Sequence, residues 1–164
     1  KGSQKLASTF STKLFGDVAD LGAGWGYLSK EALRLNDNIT RVTLFECNYS
    51  AYIASKKNID DRRAKFRWAS LENIKKLTMR FDHVICNPPF HSGRPKDIGL
   101  LRSFIFYSSK LINCQGSVWM VFVSGVYLES QLKEYFDNVK ILYKDSHYFV
   151  CQLLKPKTKR YEHD

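Results

Sequence analysis

Short apolar runs alternate with helix-spaced segments along most of this chain. Asp17 to Leu21 reads as a strand and Trp25 to Asn36 as a helix; Val42 to Phe45 is a strand ending at Glu46, followed by a helix over Tyr49 to Asn58. Lys65 to Trp68 and Asp82 to Cys86 are further strand-like runs. Ile98 to Ile112 carries Leu101, Phe104, Ile105 and Leu111 at the spacing of a helix lying on a sheet. Ser117 to Val123, after a Gln115-Gly116 turn, predicts another strand, and Leu128 to Phe136 a short helix. Val139 to Tyr143 and Tyr148 to Leu154 flank Lys144-Asp145-Ser146 as an antiparallel hairpin. Strands alternating with helices define an α/β chain with a mostly parallel, doubly wound sheet, and the closing hairpin reverses one strand of it.

Composition narrows this picture moderately. At 164 residues and 44% hydrophobic the chain fits one domain with a proper core, here 1–155, followed by a basic tail at 156–164. No apolar run approaches the roughly 20 residues needed to span a bilayer. The start, Lys1 to Gln4, has no signal-peptide pattern and no initiator Met, which fits a processed product or a fragment. A net charge of +10 favours a polyanionic partner, or simply a solvated lysine-rich surface. The cations bunch at Lys56-Lys57, at Arg62 to Arg67, at Lys75-Lys76 and in the tail. Cys47, Cys86, Cys114 and Cys151 are scattered singly, so neither a metal site nor a disulfide framework is expected, and a reducing, cytoplasmic compartment fits.

Two stretches carry chemistry. Asp20-Leu21-Gly22-Ala23-Gly24-Trp25-Gly26 joins the first strand to the first helix of the alternating pattern. Glycines there let a ligand approach the backbone, and helix N–H groups remain free to bind it. The spacing is G-x-G-x-G after Asp, not G-x-G-x-x-G, which disfavours a pyrophosphate cradle. Glu46 ends the second strand, where a carboxylate either accepts both hydroxyls of a ribose or caps the next helix. Asn87-Pro88-Pro89-Phe90, then His91, follows the strand-like run that ends at Cys86. An Asn at a strand end, a proline-fixed turn and an aromatic ring suit the holding of a planar group bearing an NH2. The Asn87 side-chain oxygen and the Pro88 carbonyl each accept one N–H, and Phe90 stacks on the plane. The bland alternative is a proline-rich loop with a buried aromatic. His91 contacts a substrate or anchors the loop; His83, inside the strand, reads as structural. Arg94, Lys96 and Arg102 are candidates for phosphate contacts.

Taken together, Asp20 to Gly26 and Glu46 resemble the S-adenosylmethionine site of Rossmann-like class I methyltransferases. The order of all the pieces resembles the "small-domain" S-adenosylmethionine-dependent methyltransferases, especially the RsmC/RlmG-like ribosomal RNA guanine-N2 group. The residues that carry it are Gly2-Ser3-Gln4, Asp20 to Ser29, Glu46 and Asn87 to Gly93. The likeness covers nearly the whole chain, to about Leu154.

The resemblance implies a seven-stranded sheet and S-adenosylmethionine held by Asp20, Gly22, Gly24, Gly26, Glu46, Cys47, Ser70, Leu71 and Asn87. It implies catalysis at Asn87, Pro88 and Phe90, with Gln4, Pro89, His91 and Arg94 toward the substrate. The expected reaction methylates the exocyclic N2 amine of a guanine in ribosomal RNA of the 16S type, with ribosomal RNA or a ribosomal subunit as partner and neither membrane nor metal involved. Asn-Pro-Pro-Phe alone is shared with enzymes acting on adenine or on a release-factor glutamine, which stay as alternatives. A non-catalytic RNA-binding module of the same fold is a third. The chain departs from the family's pattern in three places: Leu71 stands where an adenine-side polar residue is common, Trp25 is bulky for a glycine turn, and a companion amino-terminal domain is absent.

Overall fold

Burial over Val18–Leu21, Val42–Phe45 and Val84–Cys86 is continuous and apolar except at Asp20 and Thr43, as expected for strands covered on both faces. In the computed structural model, which describes residues 1–74, 76–89, 95–124 and 129–157, these runs lie side by side at the centre of a seven-stranded sheet. Its strands are β1 (Gly16–Leu21), β2 (Ile39–Glu46), β3 (Ala64–Trp68), β4 (Phe81–Cys86), β5 (Ile112–Val123), β6 (Phe136–Lys144) and β7 (Tyr148–Pro156). They are ordered β3-β2-β1-β4-β5-β7-β6. Neighbours from β3 to β5 run parallel, while β7 is antiparallel to both β5 and β6. The expected Rossmann-like sheet with a terminal antiparallel hairpin is the fold of the chain.

Helices cover both faces. α1 (Gly2–Phe10) and α2 (Tyr27–Leu35) pack Leu6, Phe10, Leu28 and Leu33 onto Val18, Leu44, Ile85 and Trp119, and Ile59 at the end of α3 (Tyr49–Asn58) joins the same cluster. α4 (Leu71–Ile74), α5 (Pro95–Leu111) and α6 (Glu129–Tyr135) bring Ile74, Leu101, Phe104, Ile105 and Leu132 to Leu21, Phe45, Val84 and Met120 on the other face. Each such fully buried Leu, Ile or Phe contributes on the order of 1.5–3 kcal/mol. Among the described residues no helix is long and apolar enough to cross a membrane, and no group of three His, Cys, Asp or Glu side chains is placed to hold a metal ion.

Several boundaries differ from the sequence expectation. α2 begins at Tyr27, two residues after Trp25, because Gly26 sits in the left-handed region (φ 90°) and forms its N-cap. α3 spans the expected residues, with the Asn48 side chain accepting from the Ala51 amide (3.0 Å). β5 begins at Ile112 rather than Ser117: Ile112 pairs with Phe81 and Ser117 with His83, so residues 113–116 bulge within one continuous strand. α1 and α4 are additional helices. The last strand continues through Pro156, and Lys157 donates to the Lys133 carbonyl; the expected tail from 158 onward lies outside the described residues.

Candidate functional site

The register of the sheet decides which loops meet. Leu21 at the end of β1 pairs with Cys86 at the end of β4, and also with Phe45 next to Glu46 on β2. Gly22 and Asn87 therefore leave adjacent strands at the same level, and Glu46 stands one strand away on the other side. The chain leaves β1 toward β2 on one side and has β4 on the other, which makes this carboxyl edge the switch point where open α/β sheets bind ligands. The Cys86 thiol donates to the Leu21 carbonyl (3.2 Å) and ties the two strand ends together.

The glycine turn is anchored to β2 and left open above. Gly22 and Ala23 both donate to the Phe45 carbonyl (2.9 and 3.1 Å). Gly22 and Gly24 have φ of 69° and 56°, a region costly for any residue with a side chain. A Cβ built at Gly24 would meet nothing within 4 Å, so the turn opens there to space that a ligand can enter, whereas one at Gly22 would come within 3.2 Å of the Phe104 ring. Gly26 does a different job. Its built Cβ would come within 2.8 Å of Ile59, so it lets α2 close on the end of α3 instead of facing the open edge. Trp25 points away from the turn, 54% exposed and edge-on to Tyr27, while its carbonyl accepts from the Asn58 side chain (3.0 Å).

Asp20 and Glu46 flank this turn. Asp20 is fully buried; one carboxylate oxygen accepts from the Ser29 hydroxyl at the start of α2 (2.7 Å), and the other has no partner. Burial pushes its carboxyl up to about 7, against the pull of Ser29, and the Glu46 charge adds to the rise. An unpartnered buried carboxylate oxygen beside an open glycine turn fits a ligand that brings a cation or an N–H donor. Glu46 accepts from the amides of Gly24 (2.8 Å) and Asn48 (2.7 Å), one on each oxygen. It holds the turn against the N-cap of α3, and each oxygen keeps a second lone pair for a hydroxyl donor. The helix-capping alternative for Glu46 is thus part of its structure, and it leaves acceptor capacity over.

The third strand ends less favourably for a polar contact. Ser70 gives its hydroxyl to the Asn73 side chain (2.9 Å), which also takes the Ser70 amide (3.0 Å), so this pair caps α4. Leu71 is half-buried against the core, and Cys47 is exposed with its carbonyl accepting from Trp68 Nε1 (2.9 Å).

On the β4 side, Asn87 and Pro89 are exposed and Pro88 is buried. The Asn87 amide nitrogen donates to the Ser3 hydroxyl (2.9 Å), which fixes the orientation of the amide and leaves its oxygen as an acceptor. Asn87, Pro88 and Pro89 border a cavity of about 320 Å³ shared with Val121 to Val123 at the end of β5. Gly2 of α1 and Tyr148 of β7 also line it. Gln4 does not: it is exposed, and the neighbouring Ser3 makes the contact to Asn87. Helical spacing put Ser3 and Gln4 on different faces of an unrecognised helix. Tyr148 and the β5 end carried no motif; their place follows from the reversed strand. Phe90, His91 and Arg94 lie outside the described residues. Arg102 is exposed and pairs with Glu134 (3.5 Å).

His83 takes no part in this edge. Its Nδ1 lies 2.7 Å from the Ser117 hydroxyl, which itself accepts from Trp119 Nε1, and its buried Nε2 has no partner. Burial pushes the ring down to about 4, with Asp82 acting the other way. It is neutral and structural.

An open carboxyl-edge site with a glycine turn, a strand-end carboxylate and an adjacent Asn-Pro-Pro turn is that of the Rossmann-like methyltransferases. Residues 1–152 match the profile of the methyltransferase small domain, and the chain belongs to that family. Among its relatives is the ribosomal RNA small subunit methyltransferase C of Buchnera aphidicola subsp. Schizaphis graminum, 30% identical over 152 residues, or 93% of this chain and 45% of that protein. The protein of the same name from Erwinia tasmaniensis is 27% identical, over 94% of this chain and 45% of its own length. The chain thus spans less than half the length of these relatives. Among solved structures, the 16S rRNA N2 G1207 methyltransferase RsmC of T. thermophilus, in complex with AdoMet and guanosine, superposes with a TM-score of 0.80 at 21% identity. That match covers 94% of this chain and 43% of the other. The precorrin-6y C5,15-methyltransferase of Geobacter metallireducens has the same fold (TM-score 0.69, 19% identity, 93% and 87% covered), so the fold alone does not choose a substrate.

Proposed function

We propose that this chain is the catalytic domain of an S-adenosylmethionine-dependent methyltransferase acting on the N2 amine of a guanine in small-subunit ribosomal RNA. The observation that carries this is the placement of Asn87, its amide held by Ser3, beside the Gly22 turn and in the wall of a cavity. Bound at the glycine turn, S-adenosylmethionine supplies an electrophilic methyl group on a sulfonium. Asp20 takes the amino-acid end, directly or through water, and Glu46 the ribose hydroxyls; Gly22 and Gly24 admit the ligand to the backbone, with Cys47, Ser70 and Leu71 toward the base.

The acceptor amine is held by this chain's own acceptors. The lone pair of an aromatic amine is conjugated into its ring, so the nitrogen must be turned before it can attack. Asn87 Oδ1 and the Pro88 carbonyl take one N–H each and fix that geometry, and Phe90 stacks on the base. The amine loses a proton only after it has become cationic, so no strong base is needed and positioning does most of the work. The names of the relatives support RNA and guanine as the acceptor, as does the charge of +10.

Methyl transfer from labelled S-adenosylmethionine should be compared across small ribosomal subunits, naked rRNA, DNA and release factor. Label is expected in rRNA at a guanine N2; label in protein alone would refute the RNA acceptor while leaving the methyltransferase assignment standing.

A further inference from the structure

Away from the acceptor cavity, the free edge of the sheet carries two features that neither cofactor binding nor packing uses. The first is a groove of about 320 Å³ between β2, β3 and the approach to β4, lined by Arg41, Thr43, Lys65, Arg67 and Met79. Lys65 and Arg67 alternate along β3 and pair across the ladder with Thr43 and Phe45, so both cations rise on one face of the edge strand. Arg41 is bonded to Asp17, and its buried Nε has no partner. Lys65 makes only a long contact to the Arg62 carbonyl (3.4 Å). Asp17 thus neutralises Arg41, while Lys65 and Arg67 have no ion pair among the described residues.

The second feature stands at the carboxyl end of the same strand. Trp68 is 62% exposed and Tyr49 56% exposed, with ring centroids 5.2 Å apart. The indole is held by its hydrogen bond to the Cys47 carbonyl, and Tyr52 continues the cluster from Tyr49 (6.1 Å) with Lys56 over its ring (5.5 Å). Charge on an edge strand can serve merely to discourage pairing with another sheet. An exposed Trp beside it works against that purpose. Trp68 lies on the opposite face of the edge strand from Lys65 and Arg67, so a single strand crossing this edge meets exposed aromatics for an unstacked base on one side and cations for its backbone on the other.

We propose that the β3 edge is a second RNA contact, in which Trp68 and Tyr49 stack an unpaired base and the Arg41–Lys65–Arg67 groove takes the adjoining phosphates of a single strand. It rests on the RNA reading above. β3 and β4 are three strand spacings apart, about 14 Å, so one strand of a few nucleotides reaches from this edge to the acceptor cavity. The edge would hold the flanking RNA while the target base occupies the cavity. Unstacked bases are available only in loops, bulges and single strands, so the contact selects such targets over regular duplex.

The test is binding of a labelled single-stranded RNA to the protein saturated with S-adenosylmethionine, over a series of salt concentrations. The double variant Lys65→Gln/Arg67→Gln should bind at least about tenfold more weakly, and its salt slope should shrink by about 1.4, at about 0.7 per lost phosphate contact. Trp68→Ala should weaken binding by about 5- to 150-fold and leave the salt slope unchanged. Melting temperature and S-adenosylmethionine affinity should stay at the parent values in both. If the parent binds RNA and either variant binds as the parent does, the edge contact is refuted and the RNA reading stands. Loss of S-adenosylmethionine affinity in Trp68→Ala refutes it as well, by making Trp68 part of the cofactor rim. A parent that binds the cofactor but no RNA overturns the RNA reading and this contact together.

Discussion

The two halves of the carboxyl edge are built in opposite ways. The Asp20–Gly26 turn with Glu46 is drawn from consecutive elements, has both carboxylates buried, and is locked by hydrogen bonds from backbone amides: Gly22 and Ala23 to Phe45, Gly24 and Asn48 to Glu46. The Asn87 side is exposed and assembled from distant segments, with Ser3 reaching Asn87 across 84 positions and Tyr148 arriving from the reversed strand. A donor that is the same in every turnover suits a preformed cradle. On the proposed function, an acceptor embedded in a large polymer needs an open wall.

The largest effect that separates the halves is expected from Asn87→Ala. Losing one of two acceptors for the amine should cut turnover by about 100-fold or more, while S-adenosylmethionine affinity by calorimetry stays nearly at the parent value. Normal turnover in that variant would place the chemistry elsewhere.

Asp20→Asn probes the other half. The Asp20 carboxyl is raised from 3.8 to about 7, so charging it in the folded chain costs about 4 kcal/mol, which a bound ammonium group would offset. Cofactor affinity of the parent should therefore rise with pH through about 7, and that rise should vanish in the variant, with weaker binding above it. Stability gives an independent sign. Asp20, raised, contributes stability below 3.8 that is lost as pH climbs to about 7; His83, lowered from 6.5 to about 4, contributes stability that is lost as pH falls through that window. The two oppose each other, so melting temperature between about pH 4 and about pH 6.5 should rise more steeply with pH in Asp20→Asn than in the parent.

Ser3→Ala is the mildest change. Removing the hydroxyl that orients the Asn87 amide costs a hydrogen bond of about 1 kcal/mol, so kcat should fall about fivefold with cofactor affinity untouched. An equal loss of cofactor affinity would mean that α1 covers both halves rather than steering Asn87.

The same contrast explains what the sequence revealed. The geometry of the glycine-turn half was legible because its determinants are close in sequence: a strand, a glycine turn, and an acid at the next strand end. What sequence spacing could not supply was which glycine faces open space, since that depends on the Ile59 and Ser55 side chains approaching Gly26 and nothing approaching Gly24. On the acceptor side Asn87, Pro88 and Pro89 stood out as a motif, but the rest of the wall did not. α1 has no side-chain cap to announce it, although Leu6, Ala7 and Phe10 hold helical spacing. Tyr148 and Val121 to Val123 read as ordinary strand residues, and only the insertion of β7 between β5 and β6 gives them the cavity.

That insertion also sets an order of events in time. A chain emerging from the ribosome presents β1, the glycine turn and β2 before β4, β5 and β7, and a parallel core can begin to assemble around them. The cavity gains its Tyr148 wall only when β7 slides in beside β5, and α1 is fastened there by Lys5 to Tyr143 across 138 positions. The nascent protein would acquire the means to hold its methyl donor well before it could hold anything to methylate, so the two abilities mature as separate milestones of synthesis.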